Sequence, residues 1–597
     1  MTEQAAITSD LDLLRTFEPV VRFTRGEFFF PVSAARYAEQ AALWSDDPDG
    51  ESVREYPPGT LDLSLLSAHC TTNQGLAHSL SGVDTGTGHE RPVRIPLKDR
   101  PPLLRGSSRL ASVGVTARLI DAANRLSLLF RGSVPGGSAA RSFLLQRDHL
   151  DVDQPTYYGR IVRDGDWIIA QYWFFYCFNN WRSGFGGVNE HEGDWEQVTV
   201  YLDGTGEVDA AGLPPGRWVV FSAHDEVGDD LRRRWDDPDL SLVEGRHAVV
   251  FAGAGSHSGA YLPGDYLITV QPPTLPWVVR GLRGAARVFT PWSTTAKGGG
   301  LAIPYVDYAR GDGRGLGPGE AEGWHPVVLD TVEHDDWVRA YRGLWGHDTR
   351  DRLGGERGPA GPRYERDGSV RASWADPVGW SGLAKVSANP AVAQALVVSR
   401  QEQIRERLGE LDEDIEAAHS GLIRSAAGLA PASPEVRAMA PEEQRLLQLK
   451  IERTALADEV THLEATTHSH PPVADPHDHL VHRLTPLEPV RGIRSTLLSW
   501  WAVLSTPLIL CSIAFVISPV FGYSSPLIAV VSVLLLMGVE GLLRKQFLAV
   551  ALRFVVLAAS VVALYYAYQE WRYVVTVPCF VAAFVVLVVN LRERLRR

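Results

Sequence analysis

Apolar and polar residues alternate over short runs in the first 390 residues of the chain. Residues 158–163 and 167–175 each have the pattern of a strand, and the Asp164-Gly165-Asp166 sequence between them is typical of a tight turn. Residues 197–202 alternate in the same way. Short strands with frequent turns favour a sandwich or barrel over a βαβ fold. We therefore predict a mainly β, sandwich-like domain over residues 1–390.

The apolar spacing becomes helical beyond residue 390. Two runs on either side of a Pro-rich break at residues 430–441 follow 4-3 spacing, which is typical of a coiled-helix seam. Their apolar positions are Ile404, Leu408, Leu411, Ile415, Ala418 and Leu422, then Leu446, Leu449, Leu456, Val460 and Leu463, with Arg453 as a polar interruption. Two helices of similar length around one break predict an antiparallel helical hairpin over residues 391–467. The alternative is dimerisation through these helices, which would make the protein a homo-oligomer.

Four apolar runs end the chain. They cover residues 497–520, 526–543, 547–568 and 573–591. Each run is long enough to cross a hydrocarbon core of ~30 Å. Arginines precede the first run and close the chain, and Arg544 and Lys545 fill the second turn, so the positive-inside rule predicts cytoplasmic N- and C-termini. We therefore predict a four-span transmembrane domain over residues 495–597, with the bilayer as a partner and a multi-pass membrane localisation.

Two ionisable residues, Glu540 and Arg553, fall inside the second and third apolar runs. An ionisable side chain at such a depth is costly unless it faces a partner or a wet cavity. The short turn between the two runs would make them antiparallel neighbours. We predict a Glu540–Arg553 pair with a structural role, and an ion pathway past Arg553 is the alternative.

A histidine-rich segment, residues 468–494, connects the helical hairpin to the apolar runs. Its histidines are His468, His470, His477, His479 and His482. Such a tract can bind a transition metal or respond to pH. A solvated juxtamembrane linker is the other interpretation.

Composition limits the class of partner and the compartment. The chain of 597 residues has a formal net charge of −13, which gives no argument for nucleic-acid binding. Its four cysteines are far apart, so they define no disulfide framework and fit a reducing compartment. The first residues have neither the basic stretch nor the apolar stretch of a cleavable signal peptide. These features agree with a cytoplasmic position for the β and helical domains.

The candidate chemistry lies in the sequence His-Glu-Gly-Asp-Trp-Glu at residues 191–196, directly before the alternating strand. Residues two apart on a strand lie on one face, so Asp194 and Glu196 point the same way, with His191 just upstream. Two carboxylates and an imidazole are expensive to desolvate unless a cation or hydrogen-bond donors neutralise them. We predict a metal site here, and a solvated strand end is the alternative.

Two further histidines follow predicted strands. His224 ends the strand that begins at Trp218, and His257 lies in a Gly/Ser turn after the strand that begins at Arg246. One histidine after a strand is usually a surface residue. Three of them in one domain indicate a shared rim, where His257 and His224 would lie at the edge of the metal site.

Five short motifs, taken in order, are similar to those of a known family. They are Glu-Phe-Phe-Phe-Pro at residues 27–31, Phe-Tyr-x-Phe-Asn at residues 175–179, the 191–196 sequence, Ser-Ala-His at residues 222–224 and Gly-Ser-His at residues 255–257. Together they resemble the vacuolar protein sorting-associated protein 62 family over about residues 10–390. The resemblance implies no settled chemistry.

A more distant likeness is to the necrosis- and ethylene-inducing proteins, whose hallmark is Gly-His-Arg-His-Asp-Trp-Glu. In that family the His, Asp and Glu surround a divalent cation on a β-sandwich. The resemblance implies the same role for His191, Asp194 and Glu196. This chain departs from the hallmark with Glu192-Gly193 in place of Arg-His. Those relatives are secreted, disulfide-bearing toxins, so their lytic activity is not carried over.

The residue types leave the ion and the activity open. Oxygen ligands suit Ca²⁺ or Mg²⁺, whereas the addition of His224 and His257 would favour Zn²⁺ or Mn²⁺. The same residues could activate a metal-bound water in a hydrolase. We expect a membrane-anchored cytoplasmic module that uses a divalent metal to bind or tether an unidentified ligand or protein partner, in membrane trafficking or envelope biology. The alternatives are a metal-dependent hydrolase near the membrane and a small oligomeric pore gated by the cytosolic domain.

Overall fold

A computed structural model of the chain shows a β-rich body, a long helical pair and further C-terminal helices. The structure describes residues 9–46, 52–70, 77–82, 138–181, 190–222, 227–270, 303–329, 336–347, 358–430, 433–468, 483–487, 493–517 and 538–548. It also describes residues 118, 122, 477, 479, 480, 535, 536, 551, 552, 555, 556, 559, 568, 569, 576, 579–588 and 592.

The larger sheet has six strands. In spatial order they are β16 (His325–Val328), β5 (Thr156–Asp164), β6 (Trp167–Asn179), β7 (His191–Asp203), β8 (Gly216–Phe221) and β9 (Arg232–Arg234). All neighbours are antiparallel except β16 and β5. Gly165 has a φ of 54° in the β5–β6 turn, a left-handed conformation that favours glycine. The register places Tyr176 opposite Asp194, and Asn179 opposite His191.

A second sheet packs against the first. Its strands are β10 (Leu242–Val243), β11 (His247–Ala252), β1 (Val20–Phe23) and β15 (Gly315–Leu316), with β12 (Gly259–Ala260) paired to β11. Strands β1 and β11 are parallel neighbours in this sheet. In sequence, five strands of the larger sheet, β5 to β9, lie between them. The end of β11 therefore brings the turn that carries His257 to the same rim as the start of β7.

Side-chain alternation along β6 and β7 divides the core in two. One face joins the cluster between the two sheets and includes Tyr172, Phe174, Tyr176, Val198, Val200 and Leu202. The other face joins a second cluster that includes Trp173, Phe175, Cys177 and Trp195 together with Trp337 and Trp345. Asp194 and Glu196 share the parity of Val198 and Val200, so they point towards the space between the two sheets.

Helices and smaller sheets surround these two sheets. The helices are α1 (Asp10–Phe17), α2 (Ala34–Gln40), α3 (Leu63–Cys70), α4 (Ser138–His149), α5 (Gly228–Leu231), α6 (Asp336–Ala340), α7 (Ala372–Ala375) and α8 (Pro377–Trp380). The remaining strands are β2 (Ala42–Asp46), β3 (Ser52–Tyr56) and β4 (Ala77–Ser81) in one sheet, and the hairpin β13 (Gly264–Val270) and β14 (Ile303–Ala309). The predicted mainly β class is therefore wrong, because the described chain is mixed α/β.

The helical segment contains α9 (Pro390–Ala426), α10 (Pro434–Ala438) and α11 (Ala440–His468). Helices α9 and α11 are antiparallel: Arg400 pairs with Glu459, and Arg407, seven residues further on, pairs with Glu452, seven residues earlier. Arg405 also pairs across the helices, with Glu464. Arg453, the interruption of the apolar seam, donates to Asp412 at 2.6 Å. Its charge is thus met across the pair rather than buried.

The C-terminal part requires a second correction. Its longest described helix is α12 (Ile493–Ile517), which contains Pro507. Within the residues that the structure describes, no helix is both long enough and apolar enough to cross a membrane. The predicted four-span transmembrane bundle and the multi-pass localisation are therefore wrong. Hydropathy counts apolar residues along the chain, and it does not include the polar groups that tertiary packing brings to them.

Such a polar group is present at Glu540. The Arg118 guanidinium donates to the Glu540 carboxylate and, at 3.1 Å, to the Ser505 hydroxyl, and all three side chains are buried. Arg544 also donates to Glu540, at 3.0 Å. Arg553, the predicted partner of Glu540, lies outside the described residues.

Large apolar side chains are exposed among the described C-terminal residues. Trp500 is 64% exposed and Leu548 is 83% exposed.

Candidate functional site

The rim between the two sheets brings Asp194 of β7 against His257 of the turn after β11. His257 Nδ1 lies 2.9 Å from Asp194 Oδ2, and Asn179 Nδ2 donates to the same oxygen at 3.1 Å. The His257 ring stacks on Tyr176, with 3.8 Å between ring centroids and an interplanar angle of 3°. The imidazole is therefore fixed by a carboxylate on one edge and by an aromatic face.

The backbone of His257 is also unusual. Its φ is 56°, in the left-handed region that a residue with a side chain seldom adopts. The two serines beside it both donate to Asp307 Oδ2, Ser256 at 2.8 Å and Ser258 at 2.7 Å. Asp307 lies on β14, so a third element holds this turn. Strain of this kind persists only where the surroundings over-determine it, and it concentrates at functional sites.

A second carboxylate, Glu27, closes the other edge of the imidazole. Glu27 follows β1 and is buried, with Oε1 accepting from the Phe28 and Phe29 amides at 2.6 and 3.0 Å. Its Oε2 accepts from the Gly255 amide at 2.7 Å. His257 Nε2 lies 3.9 Å from Glu27 Oε1, which is beyond hydrogen-bond distance.

Glu196 adds a third carboxylate to the rim. The Ser222 hydroxyl, at the end of β8, donates to Glu196 Oε2. Burial, and then the negative charge of Asp194, raise the pKa of Glu196 well above its ordinary value, while the Ser222 hydrogen bond acts in the opposite direction. The site therefore concentrates more negative charge than its own residues compensate. The charge of the Arg371 guanidinium acts to lower the pKa of Glu196.

His191 is buried beside this group, but its ring has a different partner. Its Nδ1 lies 2.7 Å from the Gly193 carbonyl oxygen. Burial lowers the pKa of His191, since it disfavours the imidazolium, whereas the charge of Asp194 acts to raise it. Burial and the charge of Asp194 therefore act in opposite directions on the His191 imidazolium. His224 lies outside the described residues.

Gly193 occupies a position that excludes larger residues. Its φ is 67°, and a Cβ at this position would collide with the Trp345 carbonyl. The left-handed backbone turns the chain between His191 and Asp194. This is the physical reason why a histidine, as in the hallmark heptapeptide, could not occupy position 193 without a shift of the Trp345 segment.

Two buried polar atoms point to a cation at this rim. Asn179 Oδ1 and His257 Nε2 have no hydrogen-bond partner among the described residues. Buried polar atoms are nearly always satisfied, so each such exception needs an explanation. An amide oxygen, carboxylates and an imidazole nitrogen are ligand types for divalent cations. These are suitable ligand types, but among the described rim residues no three histidine or carboxylate ligand atoms lie within 4.8 Å of one another, so a bound ion would have to draw them together.

Sequence reasoning missed several members of this site, although signals for them were present. Glu27 begins the Glu-Phe-Phe-Phe-Pro motif, Asn179 ends the Phe-Tyr-x-Phe-Asn motif and Ser222 begins the Ser-Ala-His motif. These motifs supported a resemblance, but only the tertiary structure brings them to one rim. Asp307 follows a stretch without a clear pattern, and no local signal identifies it.

Comparisons with known proteins give little support for a family. No family model matches the chain, and no curated protein matches it. Among solved structures, the chain is similar to that described as "Crystal structure of non-toxic HaNLP3 protein", with 13% sequence identity and a TM-score of 0.17. The match covers 32% of this chain and 57% of that chain, so this chain spans just over half of its length. The resemblance to the vacuolar sorting family has no support from a family model, and the likeness to necrosis-inducing proteins has only this weak structural match.

Proposed function

We propose that this chain is a divalent-cation-dependent binding module whose ion lies at the rim between its two sheets. Asp194, Glu196 and His257 would hold the ion, with His191 beside them and the Asn179 carbonyl oxygen as an additional ligand. The observation that carries the proposal is the position of Asp194 and Glu27 on opposite edges of one buried imidazole, with Glu196 near enough to Asp194 for their charges to interact.

The oxygen-rich ligand set favours Ca²⁺ or Mg²⁺, whereas the imidazoles keep Zn²⁺ and Mn²⁺ open. A bound divalent ion would supply the positive charge that the group lacks, and it would reverse the effect that raises the pKa of Glu196. It would also join β6, β7 and the His257 turn, which come from distant parts of the sequence. The ion would then stabilise the rim that presents the binding surface.

Burial favours binding over turnover. The side chains of His257 and Glu27 are 0% and 1% exposed, and that of Asp194 is 10% exposed. A small ion can be held among groups this buried, but a substrate would have to displace packed side chains to reach His257. A metal-dependent hydrolase is therefore the second candidate, supported by the Asp194–His257 contact, in which a carboxylate orients an imidazole as in a general base.

The helical pair suits a tether. Helix α9 has 37 residues and α11 has 29, so the longer helix would extend about 55 Å at 1.5 Å per residue. Because an antiparallel pair returns the chain to the body, where Leu487 donates to Asp265, the far end of the pair near Ala426 would carry a second contact away from the ion-binding body. The ligand or partner of the rim is to be found by experiment.

Elemental analysis of the full-length protein, as purified, tests the proposal directly. We expect the Asp194→Ala variant to contain about one equivalent of divalent metal less than the wild type, and the melting temperature of the chelator-treated wild type to rise with its preferred ion from among Ca²⁺, Mg²⁺, Mn²⁺ and Zn²⁺. Phosphodiester, ester and glycosidic reporters should remain intact. A wild-type protein that contains no metal and shows no shift with any of the four ions would refute the site. Metal-dependent reporter cleavage that Asp194→Ala abolishes would favour the hydrolase instead.

A further inference from the structure

The histidine-rich segment is docked on the β-rich body rather than solvated where the structure describes it. We define the docking segment as His477, His479 and residues 483–487. The Leu487 amide donates to the Asp265 carbonyl of β13 at 2.7 Å, and Leu484 packs on two apolar clusters. His479 Nε2 lies 3.1 Å from the Arg232 carbonyl oxygen, and its ring meets the Trp218 ring edge-on.

The centre of this contact is one imidazole between two acids. His477 Nε2 lies 3.0 Å from Asp237 Oδ1 and 3.1 Å from Asp239 Oδ2. In the described part of the chain, these three residues are the one group of histidines, cysteines and acids with ligand atoms all within 4.8 Å of one another. Both aspartates are buried, and His477 is nearly so.

The other contacts of the two acids differ. Asp237 Oδ1 also accepts from the Asp239 amide at 2.8 Å. Asp237 Oδ2 has no hydrogen-bond partner among the described residues, and its nearest charged atom, Arg233 Nε, is 3.9 Å away. Arg483 donates to Asp239 through Nη2 and Nε, at 2.9 and 3.2 Å to Oδ2.

Hydrogen bonding alone does not account for this arrangement. One imidazole nitrogen carries at most one proton, so His477 Nε2 cannot donate a well-aligned bond to two carboxylates. Ligand atoms held at about 2.0–2.2 Å from one ion are themselves about 3.0–3.5 Å apart. The separations of 3.0 and 3.1 Å lie at the lower end of that range. The unpartnered oxygen of Asp237 belongs to the same buried carboxylate.

We propose that Asp237, Asp239 and His477 form a second metal site, for a first-row transition ion such as Zn²⁺, which clamps the docking segment to the β-rich body. Two carboxylates and an imidazole are ligands for Zn²⁺ and Mn²⁺. The guanidiniums of Arg233 and Arg483 offset part of the negative charge, so the affinity will be below that of a closed four-ligand zinc site. This site shares no residue with the rim site, and it stands or falls independently of the proposed function.

Zinc titration of the chelator-treated full-length protein, followed by calorimetry, tests the site with Zn²⁺ as the probe. We expect Asp237→Asn and His477→Gln each to weaken one Zn²⁺-binding event by about tenfold or more. His479→Gln is the matched control, because it changes the neighbouring imidazole of the same segment and should leave that event unchanged. Asp194→Ala, measured in parallel, identifies any event that belongs to the rim site.

A second readout follows the docking segment itself. Zn²⁺ should protect the chain from limited proteolysis next to His477 and His479 in the wild type, and next to His477 in His479→Gln, but not in His477→Gln. If Asp237→Asn does not fold, His477→Gln still tests the proposal. His477 lies outside the apolar core of the two sheets, so its replacement should leave the fold intact. Equal Zn²⁺ binding and equal protection in the wild type, Asp237→Asn and His477→Gln would overturn the proposal, and the cluster would then be an imidazole docked between two acids.

Discussion

His257 Nδ1 lies 2.9 Å from Asp194 Oδ2, although the two residues are 63 positions apart in sequence. Asp194 reaches this contact from the start of β7, and His257 from a strained turn after β11. The contact ties the two sheets together at one rim, and it makes Asp194 the residue whose replacement tests the rim most directly.

Asp194→Asn should abolish the stabilisation of the protein by its divalent ion. The amide keeps the shape of the side chain but removes the charge that would bind a cation. At an ion concentration of 100 times the Kd, the wild type should gain about 2.7 kcal/mol, and the variant close to none. The melting temperature with and without the ion measures this. Asp164→Asn, at the exposed end of β5, is the control and should retain the full shift. Loss of the shift in both variants would contradict the assignment.

Gly193→Ala should destabilise the protein by more than its backbone conformation alone requires. The methyl group would collide with the Trp345 carbonyl, which adds a packing cost of about 1–3 kcal/mol to a backbone cost of about 1 kcal/mol. Gly165→Ala is a matched control, because Gly165 has a similar φ of 54° and no atom within 4 Å of the added Cβ. Urea denaturation compares the two variants. Equal losses would show that the Trp345 segment moves aside at no cost.

Glu18→Gln should stabilise the protein at pH 8 and have little effect at pH 5. Burial raises the pKa of Glu18 to about 7 from its ordinary value of 4.5, against the Tyr157 hydroxyl and the charge of Arg15, which lower it. The folded state binds the Glu18 proton more tightly than the unfolded chain does. The contribution of Glu18 to the free energy of unfolding is therefore fully present below about pH 4.5, and it is lost as the pH rises through about 7.

A glutamine at position 18 cannot ionise, so the variant does not lose stability as the pH rises. The full shift corresponds to about 3 kcal/mol, and the partial exposure of Glu18 reduces the expected gain at pH 8 to about 1–2 kcal/mol. Denaturation at both pH values measures it. Glu413→Gln, an exposed acid on α9, is the control and should change the stability by the same amount at both pH values. A gain at pH 5 equal to that at pH 8 would be inconsistent with a raised pKa.

Arg118→Met and Glu540→Gln should show a coupling free energy of at least about 1 kcal/mol in a double-mutant cycle. The two side chains are both 1% exposed, and removal of one partner leaves the other charge buried. A parallel cycle of Glu540→Gln with Arg553→Met tests the pair predicted from the sequence. Coupling to Arg553 and none to Arg118 would reverse the assignment made from the structure.

The sequence by itself determined the local elements. The alternation before and after residue 165 was sufficient for the β5–β6 hairpin. The same period predicted a common face for Asp194 and Glu196, which lie two residues apart on β7. The 4-3 spacing of apolar residues was sufficient for two long helices, since a coiled seam has a repeat that no strand has. Each of these signals lies within one element and depends on neighbours in sequence.

The tertiary structure alone decided what depends on contacts between distant segments. The partners of Asp194, namely Asn179 and His257, follow from strand register and from the parallel pairing of β1 and β11, which no local pattern encodes. Hydropathy predicted membrane spans because it averages along the chain, and it could not include Arg118 packed against Glu540. The docking of His477 between Asp237 and Asp239 has the same origin, since an imidazole acquires its chemistry from the charges that the fold places around it.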